Sequence, residues 1–136
     1  SGGGGAPARV KVSAEPLSAD AIRALVADPR AGAIVLFEGV VRQVEELHYE
    51  AYEEMALEAM ERIVTAAVSR HELCRAAAWH RVGPVALGEP AVLVAASASH
   101  RPEAFAGARE MIDELKASAP IWKRERGDWA DGASPA

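Results

Sequence analysis

Cys74 is the only cysteine in 136 residues. An internal disulfide is therefore excluded, and a reducing compartment fits. Aromatic residues are scarce at 5%, so the core must be built from small side chains, chiefly Ala and Val, with few large anchors. No run of about 18 apolar residues offers a membrane-spanning helix, and no signal-peptide pattern is visible; the expected location is cytoplasmic. Positive charge is also in deficit. Fifteen Lys and Arg against 20 Asp and Glu leave a net charge of −5, which disfavours general nucleic-acid binding driven by phosphate neutralisation. Any cationic site must be local. His48, His71, His80 and His100 are scattered without metal-ligand spacing, no glycine-rich phosphate loop is present, and neither a metal nor a cofactor is expected.

What is present suffices for one domain, since half of the chain is hydrophobic. The opening Ser1-Gly2-Gly3-Gly4-Gly5 reads as a flexible tail or an expression remnant, so residues 1–8 are set aside and 9–136 are taken as a single domain. Arg9 to Ser13 alternates as a short strand. Ser18 is a good N-cap, with Asp20 in the first turn, and Leu17 and Ile22 stand at the spacing of a hydrophobic staple. Ile22, Leu25 and Val26 give that helix its buried stripe, and Asp28-Pro29 ends it.

Gly32 to Val41 is an almost continuous apolar run and is expected as a central strand. Gly39 marks a bulge or a close backbone approach. Leu47 to Tyr52 alternates as a half-exposed strand, and a long amphipathic helix follows over Glu53 to His71. Arg75 to Val82 is a strand closed by Gly83-Pro84. Ala91 to Ser99 is a buried strand of small residues. Pro102 suits the first turn of a helix that carries Phe105, Ala108, Ile112 and Leu115 at helical spacing to about Ser118. Pro120 breaks it, and Ile121 to Glu125 is a short terminal strand. The order β-α-β-β-α-β-β-α-β, with short β-β connections, favours an α+β fold with three helices and a mostly antiparallel sheet.

Three features carry chemistry. His100-Arg101-Pro102 stands where a strand turns into a helix. The first N–H groups of that helix lack internal partners, and the positive end of its dipole adds to the side-chain cations, which suits a phosphate or a carboxylate. A solvated surface turn accounts for the same residues equally well. Lys116 lies in a last helical turn and Lys123 in the terminal strand, with Arg124 beside it. A lysine in a last turn offsets the helix dipole without further role. Two amines that converge in a cleft repel each other's charge and raise the neutral fraction above the well under ~1% of an ordinary lysine, which makes a usable nucleophile or base. Arg42, at the end of an apolar strand, can clamp a phosphate bidentately or pair with Glu45 or Glu46.

Taken together, GAIVLFEGVVR (Gly32 to Arg42), LHYEAYEEMALEAM (Leu47 to Met60), HRVGPVALGE (His80 to Glu89), ASASHRPEAF (Ala96 to Phe105) and DELKASAPIWKRE (Asp113 to Glu125) resemble the large, catalytic subunit of molybdopterin synthase. The resemblance implies a hammerhead-like α+β fold and a homodimer. Each large subunit would bind a small ubiquitin-like sulfur carrier, giving a heterotetramer. The carrier's C-terminal Gly-Gly thiocarboxylate would supply sulfur to cyclic pyranopterin monophosphate, forming the dithiolene of molybdopterin. Residue by residue, it implies that Lys116 is the principal catalytic lysine and Lys123 the second. Arg42, His100 and Arg101 would line the anion-binding pocket, with Arg124 counted among the substrate-binding residues. This sequence departs from the family in one place: only Gln43 to Glu46 separate Arg42 from the LHYEAY strand, where relatives carry a longer loop. A module that merely docks a Gly-Gly tail or a phosphorylated ligand is the alternative.

Overall fold

The structure, a computed structural model, describes residues 8–125 and 134–135, with side chains described for residues 8–124. Eleven elements are described: β1 (Val10–Ser13), α1 (Ala19–Val26), β2 (Ala33–Val40), β3 (Glu46–Ala51), α2 (Glu53–His71), β4 (Arg75–Arg81), β5 (Gly83–Ala86), β6 (Pro90–Ala98), α3 (Arg101–Ser118), β7 (Ile121–Glu125) and β8 (Ser134–Pro135). They form an α+β fold with two four-stranded sheets, ordered β1-β4-β6-β2 and β5-β3-β7-β8. All described pairings are antiparallel except β1 with β4.

The first sheet is covered on both faces, and the two-residue period of its strands divides two cores. Ala76 and Ala78 of β4 and Val92, Val94 and Ala96 of β6 face the larger core under α2 and α3. Ala77, Trp79, Leu93 and Ala95 face a smaller one under α1. There Ile22 and Val26 are fully buried. α1 starts as its sequence dictates: the Ser18 hydroxyl accepts the Ala21 N–H at 3.1 Å, and the staple residues Leu17 and Ile22 are both buried.

Two expectations are corrected. β2 is an edge strand, hydrogen-bonded to β6 alone among the described strands. Its apolar run is long because its inner face joins the α1 core through Ile34 and Leu36, while Phe37 and Val40 stay 37% and 49% exposed. Phe105 does not join the buried stripe of α3. It is 60% exposed, whereas the expected Ala108, Ile112 and Leu115 are buried together with Ala104, Gly107 and Met111; the inward face passes through Gly107, close against Leu73. A Cβ at Gly107 would stand 2.7 Å from the Leu73 side chain.

Gly39 does sit at a register shift between β2 and β6, packed so tightly that a Cβ would meet Val92 at 2.6 Å. Gly83-Pro84 does not simply close β4. Gly83, at φ +81°, swings the chain into β5, which pairs with β3. The tail expectation falls mostly on residues 1–7, outside the described ones; Ala8 is held by the Trp79 indole N–H, which donates to its carbonyl at 2.9 Å. Residues 126–133 and 136 also lie outside the described ones, whereas Ser134 and Pro135 pair with β7. No helix among the described residues is long and apolar enough to cross a membrane.

Candidate active site

Three chain segments converge between the two sheets. The first is the short link after β2. Val41 is clamped to the β5–β6 turn, its N–H donating to Glu89 O at 3.1 Å and its carbonyl accepting the Gly88 N–H at 2.8 Å. The Leu87 N–H donates to Glu45 O at 2.9 Å, so the brief connection is tied down at both ends. Gln43 takes a left-handed φ of +71° to make the corner. Arg42 sits between these anchors, exposed, at the rim of a hollow.

The second segment is the end of α3. Its last turn carries Lys116, and the Ala119 N–H closes the helix onto Leu115 O at 3.1 Å. The chain then enters β7, where Lys123 stands directly opposite Tyr49 of β3. Opposed residues of an antiparallel pair project to the same face, so Lys123 and Tyr49 share one wall. The third segment is the end of β4, which brings in the buried His80.

Together these segments enclose a hollow of about 550 Å³ whose walls include Arg42, Tyr49, His80, Lys116, Lys123 and Arg124. No carboxylate lines it among the described residues, although the whole chain is acidic. Partial burial, and then the charge of Lys123, push the Lys116 amine below the ordinary lysine range. Burial raises the Tyr49 phenol. The chemistry available is electrostatic capture of an anion beside an amine poised to give or take a proton.

Of the six residues singled out in the sequence, Arg42, Lys116, Lys123 and Arg124 share this hollow. His100 and Arg101 do not. They flank a separate hollow of about 570 Å³ with Gly32, Ser99 and Glu103. Lys116 lies 15 residues along α3 from Arg101, about 22 Å at 1.5 Å per residue. His100 is the N-cap residue, with no side-chain capping bond, and Pro102 occupies the first turn, as anticipated.

Two wall residues escaped sequence reasoning. Tyr49 read as strand packing and His80 as a scattered histidine. Their signal lies only in the β3–β7 register and in the burial at the end of β4, neither visible in one sequence. Cys74, expected as a buried thiol, is only half-buried. No cluster of three or more His, Cys, Asp or Glu among the described residues could hold a metal ion.

A family model described as MoaE protein matches residues 12–118. The chain belongs to the MoaE protein family. Its relatives include a "Molybdopterin synthase catalytic subunit" from Pyrococcus abyssi, 44% identical over 119 residues and covering 80% of each chain. A protein of the same description from Oryza sativa subsp. indica is 49% identical over 106 residues, covering 74% of this chain but 55% of that longer one. The crystal structure of molybdopterin synthase from Staphylococcus aureus superposes with a TM-score of 0.85 at 30% identity, over 94% of this chain and 96% of that one.

Proposed function

We propose that this MoaE family member is the catalytic subunit of a molybdopterin synthase. It works in the cytoplasm and moves sulfur from the C-terminal thiocarboxylate of a small ubiquitin-like carrier to cyclic pyranopterin monophosphate. The observation that carries this reading is the hollow in which Arg42, Lys123 and Arg124 stand with a Lys116 amine of lowered pKa and no carboxylate among the described residues of its wall. The cations suit a phosphate and a developing charge on the carrier's acyl group. The amine can relay a proton to or from the sulfur and oxygen atoms of the reacting groups, or add to that acyl carbon with its C–S bond breaking and the sulfur leaving as sulfide for the pterin. The "catalytic subunit" of the relatives' names implies a second subunit in those proteins, and the carrier fills that role here.

His100 and Arg101 enter this reading through the homodimer. One chain holds them at the opposite end of α3 from Lys116, so they serve the hollow only if a second copy presents them to it. The two arrangements separate cleanly by experiment.

Lys116→Ala, assayed with thiocarboxylated carrier and precursor, loses dithiolene formation by about 10³-fold or more while still binding the carrier. Unchanged turnover would remove the catalytic reading and favour the docking module. Mixing Lys116→Ala subunits with Arg101→Ala subunits returns up to about half of the lost rate when each site draws on two chains, because one of the two sites is then intact. Sites confined to single chains return none.

A further inference from the structure

His80 is one of three histidines that the six expected site residues leave out, and it is the most deeply buried polar side chain in the wall of the cationic hollow, at 4% exposure. Its surroundings fix its state. Nδ1 lies 2.7 Å from the Arg81 carbonyl oxygen. A carbonyl only accepts, so Nδ1 carries the hydrogen and Nε2 of the neutral ring is left as a bare acceptor. The Tyr49 ring meets the imidazole edge-on, with centroids 5.1 Å apart at 67°.

The titratable groups around it are Tyr49 from β3, Lys116 from α3, Lys123 and Arg124 from β7, and Arg42 after β2, with Arg81 next on its own strand. Among the described residues, no carboxylate lines either hollow that His80 borders. Burial first, and the Lys116 charge after it, hold the imidazole pKa at about 4, against the pull of the Arg81 carbonyl. The ring is therefore neutral at physiological pH.

His80 and Lys116 share not one hollow but two. Besides the large one they wall a small space of about 10 Å³, closed by Val92, Ile112, Leu115 and Ile121. That space is about one water in size, so the imidazole and the stem of Lys116 adjoin with no room for a substrate group between them. Both side chains also line the large hollow.

We propose that His80 is a positioning residue for Lys116, its Nε2 lone pair accepting one N–H of the amine so that the remaining valences point into the hollow. The proposal rests on the reading of that hollow as a sulfur-transfer site. A carboxylate could hold the same N–H, but a charge-assisted bond is roughly twice as strong and would stabilise the ammonium form. A neutral imidazole orients the amine at little cost to its readiness to release a proton.

Nitrogen-resolved NMR of the wild-type dimer tests this without any turnover. The expected spectrum is a neutral ring with its hydrogen on Nδ1 from pH 8 down to about 5, and an Nε2 signal that moves in Lys116→Ala. Kinetics with the thiocarboxylated carrier complete the test. His80→Phe lowers kcat by about 10²-fold with KM for the pterin changed by less than about twofold. His80→Gln, whose amide oxygen reaches the Nε2 position, recovers most of the loss. A hydrogen on Nε2, an Nε2 signal indifferent to Lys116→Ala, or His80→Gln as slow as His80→Phe overturns the positioning role. Should His80→Phe not fold, the NMR arm still decides. Full turnover in Lys116→Ala instead overturns the sulfur-transfer reading beneath it.

Discussion

The two ends of α3 carry cations in opposite electrostatic settings. At the N-terminus, His100 and Arg101 add to the positive end of the helix dipole, and the result is an open, exposed anion-attracting turn. At the C-terminus, the dipole favours a cation by about 0.3–1 kcal/mol and on its own would raise the Lys116 pKa. Burial first, and then the charge of Lys123, push it down instead. A lysine in a last helical turn is normally a stabilised ammonium; this one is destabilised by the strand that follows it. The helix therefore presents a turn suited to anions at one end and a lysine disposed to lose its proton at the other.

The largest effect on this arrangement is expected from Gly107→Ala, midway along α3. The new Cβ would meet Leu73 at 2.7 Å, forcing α3 away from the α2–β4 corner and moving both ends together. A loss of about 1–3 kcal/mol in denaturant unfolding is expected; an unchanged midpoint would show that the contact relaxes freely. Lys123→Ala isolates the C-terminal end. Removing its charge lets the Lys116 pKa rise toward the ordinary value, so less neutral amine is present at neutral pH. The acid limb of the pH–rate profile should move to higher pH, with about a tenfold loss at pH 7 for each unit of movement. Movement to lower pH would reverse the account.

The smallest effect concerns the clamp between helices. Glu110 of α3 accepts from Arg70 at 2.6 Å and pairs with His71 at 2.8 Å. Partial burial pushes the Glu110 carboxyl up, but hydrogen bonds from Arg70 and then His71 prevail and leave it below its ordinary range. A depressed carboxylate contributes stability that is present above its unfolded pKa and is lost as pH falls through the folded one. Glu110→Ala should therefore cost about 1 kcal/mol near pH 7 and progressively less as the pH drops below about 4. A cost that grows with acidity would contradict this sign.

Much of the fold was legible from periodicity and capping. α2 and β7 begin and end where their patterns do, and Ser18 and Pro102 mark true helix starts. Hydropathy alone could not tell a central strand from an edge strand packed on both faces, and β2 was misplaced for that reason. The turn signal Gly83-Pro84 hid β5, because glycine at positive φ serves a strand-to-strand corner as well as a stop. Within the site, the lysines and Arg42 were legible because charge at the ends of elements is conspicuous. His80 and Tyr49 were not, since their role comes from register and burial across β3, β4 and β7. The separation of His100 and Arg101 from the lysines follows from helix length, which was readable, and from single-chain geometry, which motif matching passed over.

The alanines at the heart of β4 and β6, Ala76, Ala77, Ala78, Ala95 and Ala96, have a thermodynamic consequence. A methyl group has no rotamers to freeze, so ordering these strands forfeits almost no side-chain entropy and the cost falls on the backbone. The layer gives up apolar area per residue in return, and leaves the fully buried Trp79 as the bulkiest side chain of the smaller core.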